Sequence, residues 1–307
     1  MQITQEEFWH QEYRRNRNMK YLDIKSIEQR YADIVHNMVT FSEKEQIWSK
    51  PSNLKSHYWL QKFEDVLEEC VLRGNGLKER FDQILQTELS KFSIPSDELI
   101  KIRNKYDKCS YLFKFGKLKD LKPTFENGSL FVGSASFYAK LLNQAQQDFE
   151  LERSIEYYPS SVKIQHFNQT SGEVSNVEPI SNVTINVGSS TDYYMCCLTT
   201  VFDFKLPYDI HADCCLIIKK PDRFLQDVFN SFDKKYKDWV GIDRLATYFD
   251  PLNTSDDIID PFSFKHFKFS YQKELRVIWL PPNEEKDLEP IFLQIDNLKD
   301  YCDLVCF

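Results

Sequence analysis

Apolar positions recur with two different periods along the chain. In residues 24–39 they fall at Ile24, Ile27, Tyr31, Ile34, Val35 and Met38, three or four residues apart, which is the spacing of one helical face. Residues 57–74 repeat the pattern with Tyr58, Leu60, Phe63, Val66, Leu67 and Cys70. It continues through 76–92 and 96–108, with Pro95-Ser96 as a start signal. Thr4 and Glu7 have the spacing of a capping box for a first helix, and WSKPSNLKS (48–56) reads as a break. Residues 1–105 are therefore expected to form a helical N-terminal region.

Near Tyr106 the pattern changes to short runs rich in Phe, Tyr, Val and Ile. Strands are expected at 111–115, 129–135, 161–167, 182–187, 193–200, 213–219, 244–249, 265–280 and 289–295, with helices at 136–150 and 221–236. Helices first and a mixed segment afterwards give an α+β class, with a second unit spanning 106–307. The stretch 265–280 (KHFKFSYQKELRVIWL) reads as one strand with two faces. Phe267, Phe269, Tyr271, Leu275, Val277 and Trp279 lie on one side, interrupted by Lys273. Lys268, Ser270, Gln272, Glu274 and Arg276 lie on the other, as a solvated face or as the lining of a cleft.

Composition narrows the function classes. With only 8 Gly, and neither GxGxxG nor GxxxxGK[ST], the chain lacks the phosphate cradles of Rossmann and P-loop proteins. The net charge of −8 excludes a chain-wide basic footprint for nucleic acid. Locally, Lys101–Lys122 holds eight Lys/Arg against two Asp, either a solvated helix and loop or an anion-facing patch. No apolar run approaches the ~18 residues that span a bilayer, and the polar start MQITQEEFWHQEYRRNRN has no signal-peptide core. The expected location is cytoplasmic, with no membrane partner. The 8 Cys show no zinc spacing and are expected to be reduced, the Cys196-Cys197 and Cys214-Cys215 pairs serving as core. No metal is expected.

Three segments carry candidate chemistry. YLFKFG (111–116) is a short strand with Lys114 opposite Tyr111, Phe113 and Phe115. NGSLFVGSASFYAKLLN (127–143) runs from a turn through a strand into a helix, with Ser134, Ser136 and Tyr138 two residues apart. The third is the Gln272/Glu274 strand. Together with the CLTT run at 197–200, FSFKHFKFSYQKELR and VIWLPP, these motifs resemble, in order and spacing over residues 106–282, the ADP-ribosyltransferase superfamily. More narrowly, they are similar to a bacterial branch of it linked to toxins and phage defence.

The resemblance implies a split β-sheet that holds NAD as a substrate. It places Lys114 at the position of the first-strand Arg or His, Ser134, Ser136 or Tyr138 at the second-strand position, and Gln272 and Glu274 at the catalytic pair. Lys114 is a departure, because lysine lacks the planar fork of arginine. In this scheme Glu274 offsets the positive charge of an oxocarbenium-like ribose. Gln272 orients ribose or acceptor, and a serine hydroxyl steadies Glu274. Lys114 meets the pyrophosphate, while Phe137, Tyr138 and Tyr271 stack on nicotinamide. The implied protein is a toxin or anti-phage effector modifying a protein or nucleic-acid acceptor, with an antitoxin or regulator as a further partner. Acidic charge favours a protein acceptor, and the 101–122 cluster leaves nucleic acid open.

Each residue also has a plainer reading. Ser134 and Ser136 would end a strand and cap the next helix. Lys114 would be a surface lysine, Gln272 and Glu274 a solvated face, and Arg276 a structural salt bridge. Asp148 and Glu150 form a carboxylate pair that reads mainly as a helix exit. His266, alone among the 6 His in lying near these residues, reads as structural. Two other function classes stay open. One is a non-catalytic interaction module, favoured by Lys114. The other is a metal-dependent nuclease using Asp148, Glu150 and Glu274, which lack a recognisable two-metal arrangement.

Overall fold

The computed structural model describes residues 3–41, 46–48, 54–74, 77–92, 95–106, 110–143, 145–146, 151–157, 159, 162–252 and 262–307. Helix α1 (Gln5–Arg15) starts at the expected capping box, Thr4 Oγ1 accepting from Glu7 N at 3.1 Å and Glu7 Oε2 from Thr4 N at 2.9 Å. Helix α2 (Ile24–Met38) is capped by Asp23 and buries Ile27, Tyr31, Ile34 and Val35, the face its periodicity marks. A small pair, β1 (Val39–Phe41) and β2 (Gln46–Trp48), precedes α3 (Leu54–Arg73), α4 (Leu77–Ser90) and α5 (Asp97–Tyr106). Helices α1–α4 enclose an aromatic-rich core in which Tyr31 stacks on Phe81 at 4.3 Å between ring centres.

The second part of the chain begins with β3 (Leu112–Gly116), α6 (Leu118–Asn127), β4 (Ser129–Ser134) and the short α7 (Ala135–Ala139). Two nested antiparallel ladders follow, β5 (Glu152–Tyr157) with β8 (Val183–Gly188) and, inside them, β6 (Ile164–Phe167) with β7 (Val174–Val177). Then come β9 (Tyr194–Thr199), α8 (Lys205–Asp209), β10 (Cys214–Ile218), α9 (Pro221–Lys235), β11 (Val240–Leu245), β12 (Thr247–Phe249), β13 (Phe264–His266), β14 (Glu274–Leu280), β15 (Ile291–Gln294) and β16 (Cys302–Cys306).

Helices and sheet form an α+β fold. The main sheet is antiparallel in the order β11-β14-β9-β3-β10-β16, and it forks at β9. Thr199, at the end of β9, pairs with Phe113 of β3, whereas Tyr194 and Met195, at its start, pair with Ser134 and Gly133 of β4, which in turn carries β15. Strands β3 and β4 are joined by α6 and diverge from their common neighbour. Alternation sorts the side chains: Leu112, Leu216, Ile218, Val277 and Trp279 bury against Phe224, Val228 and Phe232 of α9. Phe113, Phe115, Cys215 and Ile217 face the other way, against Leu99 and Tyr106 of α5 and the Phe202–Leu206 turn. Cys196, Cys214 and Cys215 are buried thiols within these layers, and among the described residues no helix is long and apolar enough to cross a membrane.

The expected continuous strand over 265–280 is corrected. It consists of β13, a 3-10 helix over Phe267–Gln272, and β14, with Lys273 between them in the left-handed region at φ 45°, ψ 52°. The reason is tertiary. Asn37 of α2 donates through Nδ2 to Lys268 O at 2.8 Å, and its Oδ1 accepts from Ser270 Oγ at 2.9 Å and Tyr271 N at 3.1 Å. Backbone groups that a strand would have paired with a neighbour are satisfied by α2 instead. Of the two readings of the polar face, a solvated surface does not hold for Arg276 and Glu274, which are 0% and 5% exposed.

Other expectations shift too. The helix expected over 136–150 ends at Ala139 as α7, and residues 147–150, with the Asp148/Glu150 pair, lie outside the described residues. The strand expected at 244–249 is two strands, β11 and β12, separated at Ala246. Helix α6 and strands β5 and β16 were not expected. Residues 129–134 run as β4, and the serine at its end caps α7.

The N-terminal helices are tied to the sheet by charge as well as by Asn37. Arg30 of α2 makes a buried two-point ion pair with Asp250, Nη1–Oδ1 2.8 Å and Nη2–Oδ2 2.6 Å. Lys205 Nζ donates to Val39 O at 3.1 Å and His36 O at 3.3 Å, a cation placed at the carbonyl end of α2. Removing one partner of a buried pair strands the other's charge. Asp250→Ala is therefore expected to cost about 3–5 kcal/mol. Urea unfolding at neutral pH checks this, and a midpoint equal to wild type would contradict the bracing role.

Candidate functional site at the fork of the sheet

Where β3 and β4 part, a cavity of ≈ 620 Å³ opens in the fork. That lies within the ~300–1,000 Å³ range of small-molecule sites. Five of the residues singled out from sequence meet there: Lys114, Phe137, Tyr138, Gln272 and Glu274. They arrive from three separate segments. Lys114 stands on β3, Phe137 and Tyr138 on α7, and Gln272 and Glu274 on either side of the Lys273 reversal. Gly133 of β4 permits the close approach of α7, since a Cβ there would lie 2.8 Å from the Tyr138 ring and 3.0 Å from Phe137. Burial pushes the Tyr138 phenol well up, so it stays protonated as a donor.

Glu274 is the electrostatic centre. Its Oε2 accepts from Lys265 Nζ at 2.6 Å and its Oε1 from Arg276 Nε at 2.9 Å. Burial opposes its ionisation, but the two neighbouring cations outweigh that effect and hold the carboxyl down at about 2. Arg276 further donates through Nη1 to the carbonyls of Phe262 at 2.9 Å and Phe264 at 3.4 Å. The backbone N–H of Glu274 donates to the Tyr248 hydroxyl at 2.9 Å. Cys197 adjoins Glu274, and burial together with that negative charge pushes its thiol well up, which removes it as a thiolate nucleophile.

Gln272 is oriented by its amide, Nε2 donating to Ala145 O at 2.9 Å and to the Tyr271 hydroxyl at 3.3 Å. Lys114 Nζ donates to Cys197 O at 3.2 Å and has no carboxylate partner among the described residues. Lys117 and Lys119 at the start of α6 extend the cationic side of the cavity, and Phe113, Phe115, Phe131, Met195 and Phe292 supply apolar walls. The lining combines apolar and aromatic surfaces, a lysine without a carboxylate partner among the described residues, and the carboxylates of Glu274 and Asp120. It suits a ligand with a flat ring at one end and anionic groups at the other.

Three expected site residues lie elsewhere. Ser134 caps α7, its Oγ accepting from Phe137 N at 3.1 Å and donating to Leu288 O at 2.6 Å. Ser136 Oγ donates to Asp192 Oδ2 at 2.6 Å and lies 3.0 Å from Ser134 Oγ. Both hydroxyls thus brace α7 against the segment around Leu288, and neither bonds to Glu274. The Tyr271 ring lines a second cavity, ≈ 580 Å³, beside His36 and Asp209 under α2. Tyr271 and Gln272 line different cavities but stay in contact through the Gln272 Nε2–Tyr271 hydroxyl bond.

Lys265 is the site residue that sequence reasoning missed. It was read as the start of a strand, nine positions before Glu274, and only the reversal at Lys273 folds it back. Tyr248 carried no local signal either, and Cys197 was marked only as core and as the start of the CLTT run. Among the described residues, no group of three or more His, Cys, Asp or Glu side chains is placed to hold a metal ion. In comparisons with known proteins, no family model, curated sequence or solved structure matches the chain.

The depressed carboxyl has a pH consequence with a definite sign. Glu274 contributes stability that is present above its unfolded value near 4.5 and lost as pH falls through about 2. The size is about 3 kcal/mol at ~1.4 kcal/mol per unit. The stability gap between wild type and Glu274→Gln is expected to close as pH falls from 5 towards 2, read from urea midpoints at each pH. A gap that stays constant over this range would mean that Glu274 is not held ionised by its neighbours.

Proposed function

We propose that this chain is an NAD-dependent ADP-ribosyltransferase. The observation that carries the reading is the convergence of Lys114, Phe137, Tyr138, Gln272 and Glu274 on one cavity at the fork of a split antiparallel sheet. Phe137 and Tyr138 give the nicotinamide an apolar, aromatic wall. Lys114, with Lys117 and Lys119 nearby, meets the pyrophosphate as a point charge rather than as a planar fork.

In the reaction, the bond between nicotinamide and ribose C1 breaks with its electron pair leaving on nicotinamide. Positive charge builds on the ribose, and the Glu274 carboxylate stabilises it and accepts from a ribose hydroxyl. An acceptor nucleophile then bonds to C1 and gives up its proton to solvent. Gln272 orients the ribose or the incoming acceptor through its amide. The acceptor is a macromolecule, protein or nucleic acid, and the cellular role is that of a bacterial toxin or anti-phage effector acting in the cytoplasm.

A second reading is a module that binds ligand in the fork without turning it over. Two observations favour it: lysine occupies the first-strand position, and both Glu274 oxygens already accept hydrogen bonds from cations.

Nicotinamide release from NAD, with and without cell lysate, separates the two. Wild type is expected to release nicotinamide when lysate supplies an acceptor, and Glu274→Gln, verified as folded, to lose at least about 100-fold in rate. Lys114→Ala is expected to raise KM for NAD about 10-fold, the loss of one charged hydrogen bond worth ~1.5 kcal/mol. NAD binding without release supports the module. Folded wild type that neither binds NAD at millimolar concentration nor releases nicotinamide rules out the transferase and favours the non-catalytic module with a ligand other than NAD.

A further inference from the structure

The two cations around Glu274 differ in what else they hold. Arg276 is fully buried, sits on the same strand two residues along, and spends Nη1 on the Phe262 and Phe264 carbonyls. It fastens the segment leading into β13 to β14. Lys265 comes from β13, reaches Glu274 across the 3-10 turn, and lines the fork cavity beside the carboxylate. Its ammonium lies 4.8 Å from the centre of the Phe269 ring, a cation–π contact that pins a side chain otherwise free at four torsions.

We propose that Lys265 is a positioning residue: by its 2.6 Å bond to Oε2 it keeps Glu274 ionised and aimed, with Oε1 tied to Arg276, at one fixed place on the cavity wall. This rests on the transferase reading for its catalytic meaning, but not for its electrostatic content. The physical basis is the cost of a lone charge away from water. Each cation offsets part of the cost of the buried charge, so removing one of the two raises the pH at which the Glu274 carboxylate takes up a proton. A neutral carboxylic acid at this position would not offset positive charge on a ribose.

The groups that face Glu274 are accounted for from each element around it. Lys265 comes from β13, Arg276 from β14, the Cys197 thiol from β9, the Tyr248 hydroxyl from β12 and the Tyr138 phenol from α7. Of these only Lys265 and Arg276 carry charge at neutral pH. Lys265 alone of that pair lines the cavity, so its substitution alters the carboxylate without unfastening the Phe262–Phe264 backbone. The Phe269 contact adds a second consequence. Arginine at position 265 keeps both the charge and the ring contact, whereas methionine keeps the length and loses the charge.

The test compares Lys265→Met and Lys265→Arg with wild type, each first checked for folding by thermal unfolding. The Glu274 carboxyl is followed by carbon NMR of protein labelled at the glutamate side-chain carboxyl, its signal assigned by its disappearance in Glu274→Gln. Lys265→Met is expected to move the Glu274 titration midpoint up by at least one pH unit, and Lys265→Arg to return it near wild type.

Nicotinamide release is measured across pH 4–9 on the same proteins. There, Lys265→Met is expected to lower kcat at least 10-fold with little change in KM, and to shift the acid limb of the profile upwards. Lys265→Arg is expected to recover most of the rate. An unmoved Glu274 titration in folded Lys265→Met overturns the proposal, as does a midpoint shift accompanied by unchanged kcat. If wild type releases no nicotinamide but the midpoint moves as expected, the transferase reading fails while the electrostatic role of Lys265 stands.

Discussion

An ionised carboxylate buried between two cations organises the centre of this molecule. Glu274 is inside the fold, where charge is expensive, and it remains charged because Lys265 and Arg276 both donate to it. Satisfying that charge requires three segments to come together: β14, which carries Glu274 and Arg276; β13, which carries Lys265; and the Phe262–Phe264 backbone that completes the arginine's bonds. The left-handed turn at Lys273 is the hinge of this arrangement. A non-glycine residue in that region is uncommon and is retained where its surroundings over-determine it.

Those surroundings are supplied by the N-terminal helices. Asn37 takes up the backbone of the 3-10 turn, Arg30 pairs with Asp250, and Phe267 of the turn is buried within the N-terminal helical core. The helical region is thus part of the framework of the candidate site. Its α2 helix forms one wall of the second cavity, and Tyr271 and Gln272, adjacent in sequence, stand on the two sides of the divide. This dipeptide, with Ala145, which lines both cavities, links the environment under α2 to the fork.

The fork itself follows from how β9 shares its partners. A strand of six residues gives one end to β4 and the other to β3, so the two halves of the sheet separate and leave a gap lined by side chains from both. The gap gathers aromatic surface, a lysine without a carboxylate partner among the described residues, and the Glu274 cluster. A site at a split in a sheet is positioned by strands rather than by long loops, which favours a preformed geometry. Its lining suits neither thiol nor phosphate-loop chemistry. The Cys197 thiol is held protonated, and no glycine-rich cradle is present in the sequence.

The sequence by itself determined the local elements whose signals are short-range. The Thr4/Glu7 cap, the apolar faces of α2 and α3, the alternation in β3, β4 and β14, and the burial of the cysteine pairs all follow from spacing along the chain. It also marked Lys114, Phe137, Tyr138, Gln272 and Glu274 as residues of one constellation, through the order of their motifs. Only the tertiary structure decided the rest. Residues 265–280 alternate as a strand would, but the hydrogen bonds that Asn37 offers from more than two hundred positions away favour a 3-10 turn. That turn places Tyr271 and Gln272 on the walls of different cavities and brings Lys265 back to Glu274. Ser134 and Ser136 were equally suited to a site and to a cap, and Asp192 with the Leu288 carbonyl resolved them as braces. Periodicity reports which side of an element is apolar. It carries no information about which distant donor will satisfy a buried charge or carbonyl, and that choice set the geometry of this cavity.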